Sequence, residues 1–439
     1  MAFDVKETLE ALVSFETTNT DEKKSGSECP KYILSRLEDY GFRTELIESE
    51  GYYSGLGEFG EGEYSVLFLA HFDVVPVSDN WEYPAFEVTY DSNRAYGRGT
   101  CDDKGNIVSL LNMAKMISEG EPSCITMIGV TGDEEIGGRN GAYVLQKKLL
   151  HEDRFPDYVI IADGLNQDII NRRRNILPTI FRTKKKKATI MGTRDTLRFE
   201  TETFGTDTRH SAYLRLGVDR HAMLAASKYM DLHSDLLVTN VRGAFVKSNV
   251  VPDWVEMDII EPTDDGEECE YDGNLTNLMR ELLTIASTSF PTRLSDKGTI
   301  INPNILEDRR DSWKLHCDIR AMTNDAEEVK ESFERNLKDR VNLEELKVHA
   351  GMGYVDSDPS SKLIGTARKV LEELSIPYAI VEGFGASDSR YFAGHGSDVF
   401  DFGPRGDNLH GPNEWVWLPS LDENARFYHQ LVKKIADSE

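Results

Sequence analysis

Apolar residues in the first 175 positions alternate between two spacings. Val5–Phe15 and Pro30–Tyr40 repeat apolar positions at helical period, whereas Phe42–Ile47 and Tyr64–Ala70 are short runs of strand length. A helix over Asn106–Ile117, a strand over Ile125–Val130, a helix over Gly141–Leu150 and a strand over Tyr158–Ala162 continue the alternation. The short strands are apolar on both faces, which predicts burial on both sides and a largely parallel sheet between helices. Open sheets of this kind bind ligands beyond the carboxyl ends of their strands. His71, Asp133 to Glu135 and Asp163 all fall there.

Between about 176 and 350 the pattern changes to strands at Thr196–Thr203, Ala244–Val251, Trp254–Ile260 and Trp313–Ile319. Helices near Tyr213–Leu232, Leu275–Ala286 and Ala326–Leu337 are interleaved with them. After Ser360 the first style returns, with a helix at Lys362–Leu374, strands at Tyr378–Glu382 and Asp398–Phe402, and a closing helix at Leu421–Ile435. The expected fold class is α/β: a discontinuous domain of residues 1–175 and 351–439 with a mostly parallel sheet flanked by helices, interrupted by an inserted α+β domain at 176–350. The sequence shows no internal repeat and no Pro- or Gly-rich linker.

Length agrees with two domains, since 439 residues exceed what one hydrophobic core usually supports. Basic residues number 50 and acidic residues 77, a formal charge of -27 that repels phosphate backbones and anionic lipid surfaces. Neither nucleic acid nor membrane is expected as a partner. The opening MAFDVKETLEALVSFE reads as a helix and not as a signal peptide. No apolar run approaches the roughly 20 residues that span a bilayer. Five scattered cysteines without a CxxC pair predict a reduced, cytoplasmic setting, each thiol acting as a small buried hydrophobe. Residues 172–187 hold eight basic residues in sixteen, readable as solvated charge at the domain crossover or as steering for an anionic substrate.

The candidate chemistry lies in five short segments. LFLAHFDVVP (67–76) delivers His71 from a buried strand, with Asp73 two residues on and therefore on the same side. A metal-ligating imidazole normally donates its other N–H to an outer carboxylate, a role for which Asp73 is placed. YGRGTCDDKG (96–105) sets two adjacent carboxylates before a helix, one more than an N-cap requires. TGDEEIGG (131–138) follows an apolar strand with three consecutive acids, which would be costly to desolvate without cations. VIIADG ends a buried strand on Asp163, and LHGPNEW places His410 in a Gly- and Pro-rich turn. Two histidines and several carboxylates at strand ends suit zinc, with cobalt or manganese as alternatives.

In their order, HFDVVP, GRGTCDDKG, TGDEEIGG, IIADG, GASDSR and HGPNE resemble the co-catalytic zinc family of aminoacylases, carboxypeptidase G, dipeptidases, acetylornithine deacetylase and succinyl-diaminopimelate desuccinylase. The resemblance covers nearly the whole chain. It implies a catalytic domain carrying two zinc ions and an inserted lid and dimerisation domain. Asp102 would bridge the metals, with a cis peptide to Asp103; His71 and Asp163 would complete one ligand set, Glu135 and His410 the other. Glu134 would be the general base, Asp73 would support His71, and His210 in TRHSAYL would donate to the developing oxyanion, from the neighbouring subunit in dimeric members. Arg390 would clamp a substrate carboxylate bidentately. Both SNVVPDWV (Asn249) and INPNILED (Asn304) resemble the lid asparagine motif, and LHCDIRAM after the second favours Asn304.

A cytoplasmic homodimeric amidohydrolase of N-acyl amino acids follows as the expectation. A dipeptidase or carboxypeptidase is the rival within the family, and an inactive metal-binding protein is the rival outside it; the intact Glu134 speaks against the latter.

Overall fold

The computed structural model describes residues 3–20, 22–77, 80–120, 124–204, 211–215, 217–293, 296, 298–383 and 385–437. The chain divides into two units, Met1–Arg173 with Val355–Glu439, and Arg174–Tyr354.

The first unit is built on a nine-stranded sheet. At its centre Ile125–Thr131, Ser65–His71, Tyr158–Ile161 and Asp398–Asp401 run parallel. Register is what creates the site: His71 pairs with Thr131 and Leu69 with Ile161, so three strands end nearly level and their following loops rise together. These strands are buried along almost their whole length, as expected for a parallel sheet covered on both faces.

Parallel pairing holds at the centre and antiparallel pairing appears towards both edges, so the sheet is mixed and not mostly parallel. On one edge Arg43–Ser49 and Tyr52–Phe59 form an antiparallel hairpin closed by Glu50 and Gly51, both at positive φ (49° and 76°). A two-residue loop of that kind matches strand twist and forces antiparallel pairing. On the other side Ile169–Arg173 pairs antiparallel with Asp401 and with Val355–Asp356, and parallel with Ile380–Gly383.

Helices Lys104–Ser118 and Leu418–Ala436 cover one face, burying Ile107, Leu110, Leu421, Phe427 and Leu431 against Val66, Phe68 and Ile160. The Phe68 and Tyr428 rings meet edge to face at 5.2 Å. Each such side chain contributes about 1.5–3 kcal/mol on full burial. Ala142–His151 lies across Gly129, where an added Cβ would come within 2.6 Å of Leu69 Cδ1 and 3.1 Å of Leu145 Cδ2. Only glycine allows that approach.

The second unit contains two four-strand antiparallel sequences with one strand order. In one, Leu237–Gly243 pairs with Trp254–Pro262, then Lys187–Glu200, then Glu267–Asp272. In the other, Ile300–Asp308 pairs with Ser312–Ala321, then Thr179–Lys184, then Leu343–Val348. Numbered by position within its own set, each reads 2-3-1-4. A repeat is therefore present in topology although none is visible in sequence. The third and fourth strands are joined by a short turn in the first copy and by the helix Ala326–Leu337 in the second, and the first copy lies between the first and second strands of the other.

Two sequence expectations fail here. Residues 244–251 are a loop, because Lys247 to Val250 close a turn just before Pro252; the strand lies earlier, at Leu237–Gly243. The helix expected over 213–232 begins only at Ala222, capped by His221, with Gly217 at φ 82° interrupting the chain before it.

Candidate metal centre

Five side chains of the first unit, one at a strand end and four in separate loops, meet at the level sheet ends. His71 closes its strand, and Asp163 lies two residues beyond Ile161. Glu135 sits in the single turn Glu134–Ile136. Asp102 precedes the Lys104–Ser118 helix, and its peptide bond to Asp103 is cis. His410 stands at φ 63° in a loop whose Asn408 and Asn413 also have positive φ (60° and 55°).

Asp102 is the hinge of the arrangement. Its Oδ1 lies 3.0 Å from His71 Nε2 and its Oδ2 lies 3.1 Å from His410 Nε2. His410 Nε2 is also 3.1 Å from Glu135 Oε1. The donor atoms of His71, Asp102 and Asp163 lie within 4.8 Å of one another, as do those of Asp102, Glu135 and His410. Ligand bonds of about 2.0–2.1 Å at a tetrahedral angle place donors about 3.3 Å apart, so both groups have the donor types and spacing of a zinc set. The residues fit two metal ions sharing Asp102.

Electrostatics agrees. Burial disfavours a charged His71, yet Asp102 and Asp73 outweigh it and hold the imidazole well above its ordinary range. Glu135's charge, against burial and together with Asp102, pushes His410 up to about 12. The same two imidazoles overcome burial to hold Asp102 well below the usual carboxylate range. Burial, then the charge of Glu134, raises Asp163 well above that range. Groups held so strongly by one another are of the kind that a bound cation would relieve of their protons.

Glu134 stands beside these groups. Burial lifts its carboxyl to about 8, offset in part by His71 and reinforced by Asp388 and Glu135. Asp73 supports the whole group, but chiefly through contacts other than the one expected. His71 Nδ1 donates to the backbone carbonyl of Asp73 at 2.9 Å, which leaves Nε2 for a metal, while the carboxylate stands off at 3.5 Å. That carboxylate accepts the backbone N–H groups of Glu134 (3.0 Å) and Glu135 (3.1 Å).

Arg390 is largely buried and donates through Nη2 to the Gly137 carbonyl at 3.1 Å, in the loop that carries Glu134. Asn304 is fully buried in the second unit. Its amide donates to the Ser248 carbonyl (2.7 Å) and accepts from His221 Nε2 (3.1 Å), so both its ends are engaged in tying a strand to a helix cap. Asn249 is half-buried in the 244–253 loop. His210 lies outside the described residues.

Several supporting residues escape sequence reasoning. Asn19 donates to Asp73 Oδ2 (3.1 Å) and to the Gly132 carbonyl (2.8 Å). Asp103 accepts the His71 N–H (2.9 Å) and is held in turn by Asn106 (2.6 Å). Arg173, inside the basic segment, pairs with buried Asp401 at 2.6 Å and donates to the carbonyls of Asp163 (3.1 Å) and Gly385 (3.3 Å). Other charges of that segment are paired with acidic side chains, as in Arg172–Asp356 (2.9 Å), Arg182–Glu345 (2.9 Å) and Lys187–Glu270 (2.7 Å). All five cysteines are free and buried.

Comparison with known proteins defines the class. Residues 67–434 match peptidase family M20/M25/M40, and the chain belongs to that family of metal-dependent hydrolases. Among curated relatives, the succinyl-diaminopimelate desuccinylase of Nautilia profundicola is 22% identical over 436 residues, covering 98% of this chain and 99% of that protein. The enzyme of the same name from Janthinobacterium sp. (strain Marseille) is 26% identical over 270 residues, 57% of this chain and 65% of that relative's length. Among solved structures, the aminoacylhistidine dipeptidase of Vibrio alginolyticus aligns with TM-score 0.72 at 14% identity, covering 98% of this chain and 96% of that one. The M20 family metallo-carboxypeptidase Sso-CP2 of Sulfolobus solfataricus gives 0.63 at 16%, covering 99% of each. These likenesses share the fold. Among the described residues no helix is long and apolar enough to cross a membrane.

Proposed function

We propose that this chain is a two-zinc amidohydrolase that removes the acyl group from an N-acyl amino acid. The observation that carries the proposal is Asp102, with one carboxylate oxygen facing each imidazole and a further carboxylate completing each group. When bound there, zinc would draw the pKa of a coordinated water towards about 7 and polarise the scissile carbonyl. Glu134 accepts the proton of the attacking water and passes it to the departing nitrogen. Burial raises its carboxyl above the usual range, which suits a group that must both take up and give up a proton. Arg390, on the Glu134 side, supplies a fork for the substrate's carboxylate.

The desuccinylase relatives favour an acylated diamino acid as substrate. The dipeptidase and carboxypeptidase folds favour a short peptide as the second reading. The test is turnover of N-acetyl-ornithine, N-succinyl-diaminopimelate and simple dipeptides with added zinc or cobalt. Preference for the acylated amino acids supports the proposal, and preference for dipeptides with free amino termini overturns it.

A further inference from the structure

Glu414 is fully buried four residues after His410, and its carboxylate is saturated by donors from a single turn. Oε1 accepts the backbone N–H groups of Cys101 (3.0 Å) and Asp102 (2.9 Å). Oε2 accepts the Gly99 N–H (3.0 Å) and Arg98 Nη1 (2.7 Å). The Glu414 carbonyl accepts the Gly97 N–H at 3.0 Å, so the turn 97–102 is wrapped around this one residue from both ends. The pairing of Trp415 with Tyr96 anchors the contact in a small antiparallel sheet.

We infer that Glu414 is a positioning residue for the bridging carboxylate, setting metal affinity in both ligand groups at once; the inference rests on the two-metal proposal above. Neutralising buried Arg98 would need only one oxygen of Glu414. The other is spent on two amides, one of them belonging to Asp102. Because the two oxygens of Asp102 each face a different imidazole, a small tilt of its backbone moves a donor away from both groups together. Loss of Glu135 or His410, by contrast, removes a donor from one group only. The loop that delivers His410 thus also fixes Asp102, tying the two halves of the centre to one short segment.

The test is zinc binding by competition with a chromophoric chelator, on wild type and two variants. Glu414→Asp keeps the charge opposite Arg98 but withdraws the carboxylate by one methylene. The double variant R98M/E414L replaces the buried pair with apolar side chains, an exchange that folded proteins often tolerate, and removes the acceptors for the turn. Both variants should bind the first and the second zinc about 10- to 100-fold more weakly, the range seen when an outer partner of a ligand is lost, while each still unfolds in a cooperative melting transition above the temperature of the titration. Two zinc ions bound at wild-type affinity, with only a lowered melting temperature, would overturn the inference and leave Glu414 a core residue. A wild-type protein that binds a single zinc would overturn the two-metal proposal itself, a result read before any variant is made.

Discussion

The carboxylate of Asp73 holds the backbone N–H of Glu134 at 3.0 Å, while the carbonyl of the same residue holds the imidazole of His71 at 2.9 Å. One residue therefore fixes the proposed base and a proposed ligand of the first group, and a third bond to the Glu135 N–H reaches the second. Asp73→Asn keeps the carbonyl and one acceptor oxygen but turns an N–H₂ towards a backbone donor. Turnover should fall about 10- to 100-fold, with two zinc ions still bound; steady-state kinetics beside metal analysis checks it.

Glu134 and Glu135 are adjacent yet should respond oppositely to loss of charge. Glu134→Gln should retain both metals and lose about 10²–10⁴-fold or more in rate, the worth of general-base catalysis. Glu135→Gln should weaken one metal, with excess zinc restoring part of the activity. Near-normal turnover in Glu134→Gln, or metal loss matching that of Glu135→Gln, would remove the proposed base.

Zinc uptake should release protons. Without metal, His410 is raised to about 12 and His71 well above its ordinary range, so both imidazoles are charged at pH 7. Asp163, raised well above the carboxylate range by burial, adds to the bound protons. Ligands must be deprotonated to bind, so affinity should rise with pH. Calorimetric titration in buffers of differing ionisation enthalpy should count about two or three protons released per pair of zinc ions. Uptake without proton release would contradict this charge pattern.

The basic segment separates into two kinds of charge. Lys184 and Lys187 form exposed pairs with Glu344 and Glu270, and their replacement by alanine should change stability by less than about 1 kcal/mol and leave kcat/KM at low salt unchanged. Asp401→Asn strips the partner from largely buried Arg173 and should cost about 3–5 kcal/mol by denaturant unfolding. A fall in kcat/KM for the lysine variants that vanishes at high salt would instead mark substrate steering.

What is legible in the sequence follows from how each feature is built. The centre of the sheet and its loops are legible because strands buried on both faces are written as apolar runs, and three of these runs lead into a candidate ligand: His71, Glu135 or Asp163. His410 and Asp102 are legible only as motifs, since their meeting joins two loops about 300 residues apart in sequence. The antiparallel edges and the repeat of strand order in the second unit leave no periodic trace. Mostly exposed strands such as Lys187–Glu200 carry few apolar residues to mark them. Asn19 and Arg173 are invisible for another reason: each acts through backbone carbonyls, which no residue pattern encodes.

The most direct test is the zinc content of fully active, extensively dialysed enzyme, with activity followed as zinc is returned to the chelated protein. Two zinc ions per chain, with full turnover reached only on the second, is the predicted result. Full activity at one zinc per chain would contradict the shared role of Asp102 and the two-metal centre built on it.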